Sequence, residues 1–443
     1  MKKIVFTVLC LLVFPAALRA ESTGEILTFP ANPEKGFHWG YALYLPKTMD
    51  TSKKLPMVLM MTDVGITNSA EETEKDTLYR LRHELSEYPV ADELGVPLIM
   101  PMVQRPRVGF YTHALSRAVF VSQDEKFKRL DLQVLDMIKD ARRELKERHI
   151  KTQEKVLVTG FSAAGVFAWR WTMLHPEYVL ATVTGGALYH MLPVEELNGE
   201  RLIYPVGVGD LQEITGKKFN KKAWSKIPIL STNGEKDNND TFVYSECFDP
   251  KTERPVLAKV LPGKDVLERR AQSIQLLNEM APNVQTHLYP WLGHKPVTGD
   301  VIAFLKKHIN GGPLRPIELR DTSDQKPNFP VRIVHIMWGN DPQVPAEYKA
   351  WIDPHDLVLQ TNVTHPSWVY NQYGEIDILH RGKVVGHPVS HGSISDGKKS
   401  LLFFGLSAEE LARLRKEKGR TFSVRAKYPD YLNIPADLTF TVK

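Results

Sequence analysis

The chain has 443 residues, a length that indicates two or three domains at the usual size of about 150 residues each. Apolar residues make up 42% and charged residues 25%, an ordinary globular composition that excludes a disordered, collagen-like or disulfide-dense chain. The formal net charge is +5, and three of the basic residues lie in residues 1–20, which hold no acid. The remaining charge is close to neutral and gives no argument for binding to nucleic acid or to an anionic membrane.

Residues 1–20 have the pattern of a secretory signal peptide. A basic start precedes an apolar run at 4–17, and a small residue, Ala20, stands at the expected cleavage position. The run is shorter than the roughly 20 apolar residues that span a bilayer, and no later stretch of the sequence qualifies. We therefore predict a protein exported to the periplasm or secreted, with no membrane span in the mature chain; an uncleaved N-terminal anchor is the alternative. Cys247, the one cysteine left, has no partner for an internal disulfide.

Between residues 38 and 309, short apolar runs alternate with helical patterns. The predicted strands are 38–46, 55–61, 96–102, 155–158, 179–183, 227–231 and 284–289, and the predicted helices are 126–148, 163–175, 265–280 and 298–309. The continuous apolar runs are typical of strands buried on both faces. This alternation predicts an α/β fold, a doubly wound and mostly parallel sheet, for a catalytic domain over 21–312. Residues 190–225 fit neither pattern and are predicted to be an insertion above the sheet.

The composition changes after residue 309. Glycine and proline are frequent up to residue 330, so we predict a linker at 313–330. The strand-like runs that follow are 331–337, 356–361, 375–380, 399–404, 421–427 and 437–442. One helix interrupts them, and Ser407 and Glu410 at its start have the spacing of a capping box. These patterns predict a C-terminal all-β, sandwich-like domain over 331–443.

The most informative segment is a predicted buried strand that runs directly into Gly160-Phe161-Ser162 and then into a helix. A sharp turn of this kind pushes the serine hydroxyl out at the top of the sheet and requires small neighbours. The usual pattern has glycine where Ala164 stands, and in this chain Gly165 comes one residue later. The alternative is a serine that merely caps a helix. A nucleophile is favoured because strand and helix both lie where the motif requires them.

A nucleophilic serine needs a base, and the base needs a carboxylate that orients it. In the α/β-hydrolase arrangement these residues follow in the order serine, acid, histidine. Asp237, in the loop after strand 227–231, is the predicted acid, with Asp240 as the alternative. His294, in the loop after the last strand, is the predicted base, whereas His287 lies inside that strand.

These segments resemble the α/β-hydrolase superfamily over residues 38–309, and more narrowly the secreted esterases of the polyhydroxybutyrate depolymerase and feruloyl esterase type. The residues that carry the resemblance are Leu55-Pro56-Met57-Val58-Leu59, Arg129-Leu130-Asp131-Leu132-Gln133, Gly160-Phe161-Ser162-Ala163-Ala164-Gly165, Gly234-Glu235-Lys236-Asp237 and Gly293-His294. Such enzymes commonly have His-Gly after the strand that corresponds to 57–61, where this chain has Met60-Met61-Thr62-Asp63-Val64-Gly65. The resemblance implies no cofactor.

An ester-cleaving serine also needs backbone N–H groups that stabilise the developing oxyanion. The first donor is expected from Ala163, the residue after the nucleophile, and the second from the loop at 62–66, with Asp63 or Val64 as candidates. Tyr111 and His113 follow strand 96–102 on the side where active-site loops gather, and Trp291 precedes the histidine. These last three are weaker candidates for the lining of the substrate cleft, because loop or packing roles explain them as readily.

The predicted function is cleavage of carboxylic esters through an acyl-enzyme. The predicted substrates are small-molecule or polymer-linked esters, such as acyl or feruloyl decorations of polysaccharides, or short polyesters. A serine peptidase of the same fold and a non-catalytic binding protein on a hydrolase scaffold are the alternatives. No metal site is predicted, because histidines such as His380 and His387 are typical of solvated strands. A glycan contact of the C-terminal domain is a further hypothesis, although core packing explains aromatic residues such as Trp351 and Trp368 more simply.

Overall fold

The computed structural model describes residues 24–61, 67, 69–106, 112–187, 189–237, 247–263, 266–323, 331–346, 349, 352–362, 376–395, 399–417, 419–427 and 432–442. They form an α/β domain followed by a domain of two β-sheets. The boundaries predicted for the signal peptide and the mature chain lie outside the described residues.

The α/β domain is built on one eight-stranded sheet. Its strands are β1 (Glu25–Phe29), β2 (Gly40–Leu45), β3 (Leu55–Met60), β4 (Leu98–Met102), β5 (Thr152–Phe161), β6 (Val179–Gly185), β9 (Ile229–Gly234) and β10 (Val284–Tyr289). A short hairpin, β7 (Glu196–Leu197) and β8 (Glu200–Arg201), lies in the predicted insertion. The strand order is β1-β2-β4-β3-β5-β6-β9-β10, with β2 antiparallel to both neighbours and all pairs from β4 to β10 parallel. This strand order and direction are those of the α/β-hydrolase fold, and they confirm the predicted doubly wound, mostly parallel sheet.

Helices accompany the strands of this sheet. They are α1 (Ala70–Glu87), α2 (Val90–Leu94), α3 (Arg117–Val121), α4 (Leu130–Glu147), α5 (Ala163–Leu174), α6 (Leu211–Thr215), α7 (Lys221–Trp224), α8 (Glu253–Val260), α9 (Val266–Met280) and α10 (Thr298–Lys307). Within the described part of the chain, no helix has both the length and the apolar character to cross a membrane. Helix α5 is apolar around most of its circumference because it lies inside the core, where Phe167, Trp169 and Trp171 are buried.

Helix α1 was not predicted from the sequence, although it has 18 residues. Its buried residues are Thr73, Thr77, Leu81 and Leu85, and the remaining positions are mostly charged or polar. Because two of the four inward positions are threonines, the apolar periodicity is weak and the helical pattern is hidden. The helix begins at an N-cap, Ser69, whose hydroxyl accepts a hydrogen bond from the backbone N–H of Glu72 at 3.1 Å.

The C-terminal domain contains two facing sheets. Its elements are β11 (Val331–Trp338), β12 (Leu357–Thr361), β13 (Ile376–His380), β14 (Lys383–Gly386), β15 (Val389–Ser395), β16 (Ser400–Gly405), α11 (Ala408–Lys416), β17 (Thr421–Ala426), β18 (Leu432–Asn433) and β19 (Thr439–Thr441). One sheet has the order β15-β16-β12-β11-β18 and the other β14-β13-β17-β19. Ile333 and Leu359 of the first sheet share one hydrophobic core with Ile378 and Val424 of the second. The predicted sandwich-like β domain is therefore confirmed, and Ser407 caps α11 in the expected capping box.

The described part of the predicted linker follows the surface of the α/β domain. The backbone N–H of Ile317 donates to Gln285 Oε1 at 3.0 Å, and Gln285 Nε2 donates to the carbonyl of Ile317 at 2.8 Å. Further along, Thr322 Oγ1 donates to the carbonyl of Pro290 at 2.6 Å. This segment is thus hydrogen-bonded to the α/β domain, and its attachment at Pro290 lies close to the loop that carries the predicted catalytic histidine.

Candidate active site

Ser162 stands at the sharp turn between β5 and α5. Its backbone has φ 59° and ψ −128°, a conformation that non-glycine residues rarely adopt. The backbone N–H of Ser162 donates to the carbonyl of Gly185 on the neighbouring strand at 2.9 Å, which holds the turn against the sheet. A Cβ atom at Gly160 would lie 2.2 Å from the carbonyl oxygen of Ala164. Only glycine at position 160 therefore allows the strand and the helix to approach each other so closely.

Three predicted site residues lie in one hydrogen-bonded chain. His294 Nε2 is 2.8 Å from Ser162 Oγ, and His294 Nδ1 is 2.8 Å from Asp237 Oδ2. They meet because β5, β9 and β10 are parallel, so that the loops after these strands gather at one edge of the sheet. The Asp237 side chain is completely buried, while that of His294 is 25% exposed. If Nδ1–H donates to the carboxylate, Nε2 is left to accept a hydrogen bond from the serine hydroxyl.

The loop of the acid and the loop of the histidine are joined by backbone hydrogen bonds. The N–H of Glu235 donates to the carbonyl of Tyr289 at 2.9 Å, and the N–H of Lys236 donates to the carbonyl of Leu292 at 2.8 Å. The pairing of β9 with β10 thus continues beyond the strands. Asp237 is placed opposite His294 by this extension.

Close packing around the acid loop and the histidine loop requires glycine at two positions. A Cβ atom at Gly234 would lie 2.3 Å from the carbonyl oxygens of both Leu292 and Gly293. Gly186 has φ 63°, and a Cβ atom there would lie 3.1 Å from Cε1 of His294 and 2.9 Å from the ring of Phe161. Gly186 therefore leaves room for the imidazole ring. Sequence reasoning did not identify it, because nothing local marks its distance to the histidine.

Arg270 on α9 is a second residue that sequence reasoning missed. Its guanidinium group donates to the carbonyl of Asp237 at 2.6 Å and to the carbonyl of Glu235 at 2.5 Å. The side chain is 2% exposed, although an arginine in an amphipathic helix is usually taken for a solvated residue. Arg270 thus holds the backbone of the acid loop through two hydrogen bonds.

Glu235 links the two loops through its side chain. Its carboxylate accepts hydrogen bonds from Lys236 Nζ at 2.9 Å and from the backbone N–H of Trp291 at 3.1 Å. Burial raises the pKa of this carboxyl, but the two hydrogen bonds and the nearby cations outweigh burial and hold its pKa below the ordinary value. The carboxylate is therefore charged at neutral pH and binds the histidine loop in that form.

The structure describes Ala163, one of the expected oxyanion donors. Ala163 is buried and is the first residue of α5, so its N–H lies at the positive end of the helix beside Ser162. Asp63 and Val64 lie outside the described residues, as do Tyr111 and the alternative acid Asp240. The residue that follows the loop at 62–66 is anchored, since Gln104 Nε2 donates to the carbonyl of Thr67 at 2.7 Å.

Two weaker candidates have other surroundings. His113 is completely buried, with Nε2 3.1 Å from the carbonyl of Val103. Burial, with a smaller effect of the Arg105 charge, lowers the pKa of His113 to about 3, so its imidazole is neutral and donates to that carbonyl. Trp291 packs against the hydrophobic core of the C-terminal domain.

His380 and His387 of the C-terminal domain lie among hydrogen-bond partners of the protein itself. Among the residues described, no group of three or more histidine, cysteine or acidic side chains has an arrangement that would hold a metal ion. His387 Nδ1 lies 2.8 Å from Asp377 Oδ1, and Arg425 donates to the other oxygen of Asp377 at 2.6 Å. His387 is thus part of a charged network that joins strands of the domain.

Comparisons with known proteins give distant structural likenesses. No family model matches the sequence, and no curated protein matches it. A poly(aspartic acid) hydrolase from Sphingomonas sp. KT-1 is similar with 15% identity and a TM-score of 0.41, over 66% of this chain and 99% of that one. A poly(3-hydroxybutyrate) depolymerase from Bordetella parapertussis has 14% identity and a TM-score of 0.41, over 65% and 89%. A ferulic acid esterase has 11% identity and a TM-score of 0.38, over 65% and 96%. The order and direction of the eight strands, rather than these likenesses, identify the fold.

Proposed function

We propose that the protein is an exported serine hydrolase that cleaves carboxylic esters, with Ser162 as nucleophile, His294 as base and Asp237 as the orienting acid. The observation that carries the proposal is the continuous chain of two 2.8 Å hydrogen bonds from serine through imidazole to a buried carboxylate. The strained backbone of Ser162 supports it further, because strain of this kind persists at sites where a side chain must be presented in one direction.

The chemistry follows from the order of the three side chains. His294 Nε2 takes the proton of Ser162 as Oγ attacks the ester carbonyl, and Asp237 stabilises the imidazolium that forms. The N–H of Ala163 is placed to donate to the resulting oxyanion. When the tetrahedral intermediate collapses, the carbon–oxygen bond to the alcohol breaks and the alcohol takes the proton from His294. Water then gives a proton to His294, attacks the acyl-enzyme and releases the acid, with the proton returned to Ser162.

The substrate class follows from the resemblance of the sequence to secreted esterases. We propose small-molecule or polymer-linked esters, including acyl or feruloyl decorations of polysaccharides and short polyesters. The signal-peptide pattern of residues 1–20 supports export. N-terminal sequencing of the protein recovered from the periplasm or the medium tests the export step, and a first residue of Glu21 is the expected result.

A fluorophosphonate probe tests the catalytic proposal, because it reacts with an activated serine whatever the substrate is. We expect labelling at Ser162, and we expect Ser162→Ala to abolish labelling and to lower ester turnover by about 10⁶. Ser225→Ala is the matched control, since Ser225 is exposed and follows α7. Labelling at another serine would overturn the assignment. A folded protein that reacts with neither the probe nor any activated ester would favour a non-catalytic binding function.

A further inference from the structure

The loop between β10 and His294 connects the predicted catalytic histidine to the C-terminal domain. We propose that Trp291 is a positioning residue through which the C-terminal domain holds His294 against Ser162, an inference that rests on the proposed function for its effect on rate. The β domain is then part of the active-site scaffold and not a separate attachment. Four observations on Trp291 and its neighbour Pro290 support this proposal.

The first observation is the backbone of Trp291 itself. Its φ is 59°, in the left-handed region that a bulky aromatic residue rarely occupies. Such a conformation costs free energy and persists only where the surroundings impose it. Trp291 lies three residues before His294, so the conformation imposed on it decides the path of the chain into the histidine.

The second observation is the surface on which the indole rests. Trp291 packs against the hydrophobic core shared by the two sheets of the C-terminal domain. The partly buried apolar side chains that the described residues place against this core are Trp291, Trp338, Val385, Leu406, Ile434 and Leu438. Among these, only Trp291 comes from the α/β domain. The indole is therefore a direct apolar contact between the histidine loop and the second domain.

The third observation concerns the loop of the catalytic acid. The backbone N–H of Trp291 donates to Glu235 Oε2 at 3.1 Å. Lys236 Nζ lies 4.8 Å from the centroid of the indole ring, in the geometry of a cation–π interaction. Because Glu235 and Lys236 directly precede Asp237, Trp291 is attached both to the C-terminal core and to the loop that orients His294.

The fourth observation is the hydrogen bond from the linker. Thr322 Oγ1 donates to the carbonyl of Pro290 at 2.6 Å and so fixes the residue before Trp291. The acid loop, the linker and the C-terminal core thus converge on two consecutive residues. Removal of the indole leaves the strained backbone without its apolar support, and we expect the loop to relax. A displacement of His294 by about 1 Å is enough to lower catalysis by about 10².

The test compares single variants of the full chain in steady-state hydrolysis of p-nitrophenyl acetate. We expect Trp291→Ala to lower kcat by about 10² and to change KM by less than about threefold, because the indole acts through His294. Trp291→Phe keeps an aromatic side chain on the core and should retain most of kcat. Thr322→Val removes only the hydroxyl donor and should lower kcat in the same direction by a smaller factor. Tyr79→Ala, at an exposed aromatic on α1, is the control and should have no effect.

A second measurement is independent of turnover. The proton between His294 Nδ1 and Asp237 should give a far-downfield ¹H NMR signal in the wild type and in Ser162→Ala. We expect Trp291→Ala to broaden or lose this signal, and Trp291→Phe to keep it. If the wild-type protein is inactive but the signal still depends on Trp291, the proposed function fails and the positioning role stands.

Several results would overturn the inference. One is a Trp291→Ala variant with wild-type kcat and an unchanged downfield signal. Another is an effect on KM alone, which would make Trp291 a substrate contact. If Trp291→Ala does not fold, Trp291→Phe and Thr322→Val decide. A positioning role predicts losses of kcat that increase with the contacts removed. It would be contradicted if Thr322→Val kept the wild-type kcat while Trp291→Phe lost as much kcat as Ser162→Ala.

Discussion

Hydrogen bonds hold the side chains of the candidate site in nearly fixed positions. Asp237 is completely buried, and its backbone carbonyl is held by Arg270 while its carboxylate faces His294 Nδ1. A carboxylate in this place accepts a hydrogen bond from Nδ1–H and so selects the tautomer that turns an unprotonated Nε2 towards the serine. The proposed role of Asp237 is therefore to orient the imidazole and to balance the positive charge that forms on it.

The variant Asp237→Asn tests this role. The amide has the same shape, so we expect the fold to survive and kcat for p-nitrophenyl acetate to fall by about 10⁴, because the imidazole is then held in the wrong tautomer. Asp240→Asn is the matched comparison and should lower kcat far less. If Asp240→Asn causes the larger loss, Asp240 is the acid and the assignment shifts by three residues. Thermal unfolding of both variants shows whether the fold is retained.

At the scale of elements, the position of α5 depends on glycines that let backbones touch. A Cβ atom at Gly165 would lie 2.3 Å from the carbonyl oxygen of Gly185 on β6. That oxygen also accepts the hydrogen bond from the N–H of Ser162, so it has no room to withdraw. The helix that follows Ser162, the proposed nucleophile, thus lies directly on the sheet.

We therefore expect Gly165→Ala to push α5 from β6, to lower the free energy of unfolding by about 1–3 kcal/mol and to reduce kcat. Gly299 on α10 provides the control, because a Cβ atom there meets nothing within 4 Å. Gly299→Ala should be neutral or stabilising by up to about 1 kcal/mol, as alanine favours helix. Urea unfolding monitored by tryptophan fluorescence measures both. Equal effects of the two substitutions would show that the close approach has no energetic consequence.

For the whole molecule, buried histidines link stability to pH. His113 and His190 are buried, and burial lowers their pKa values to about 3 and about 4. The His190 Nε2 atom lies 2.7 Å from Ser231 Oγ, an uncharged partner that supplies no negative charge to hold a proton on the ring. Below its ordinary pKa of about 6.5 the unfolded chain takes up protons on these residues that the folded chain refuses. The contribution of these two histidines to stability therefore decreases as the pH falls from about 6.5 towards 4.

We expect the free energy of unfolding to fall by up to about 1.4 kcal/mol per pH unit for each of these histidines across that range. His190→Gln should reduce this slope by the contribution of one histidine, up to about 1.4 kcal/mol per pH unit. This holds whatever the substitution does to stability at pH 7. Burial raises the pKa of Glu253, so this residue changes the slope in the opposite direction. Its contribution is the same in the wild type and in His190→Gln. Urea unfolding at pH 7, 6, 5 and 4.5 gives the slope. An identical slope in the wild type and in His190→Gln would contradict the linkage.

Local patterns in the sequence predicted seven of the eight strands of the large sheet, four of the helices beside it and the fold class, because burial on one or both faces leaves a detectable periodicity. The serine turn and the chain order of acid and histidine also pointed to three residues that the structure brings together. Helix α1 was not predicted because threonines on its buried face remove this periodic signal.

The distant residues that support the site became apparent from the packing of the folded chain. Nothing in the neighbouring sequence marks Arg270, which binds the acid loop, or Gly186, which lies beside the imidazole. The sequence offered Trp291 only as a candidate lining residue of the cleft and did not indicate its contact with the C-terminal core. Each acts on a residue brought near by the pairing of strands or by the packing of one domain on another. Periodicity reports whether a side chain is buried, whereas the partner that buries it is set by the path of the whole chain.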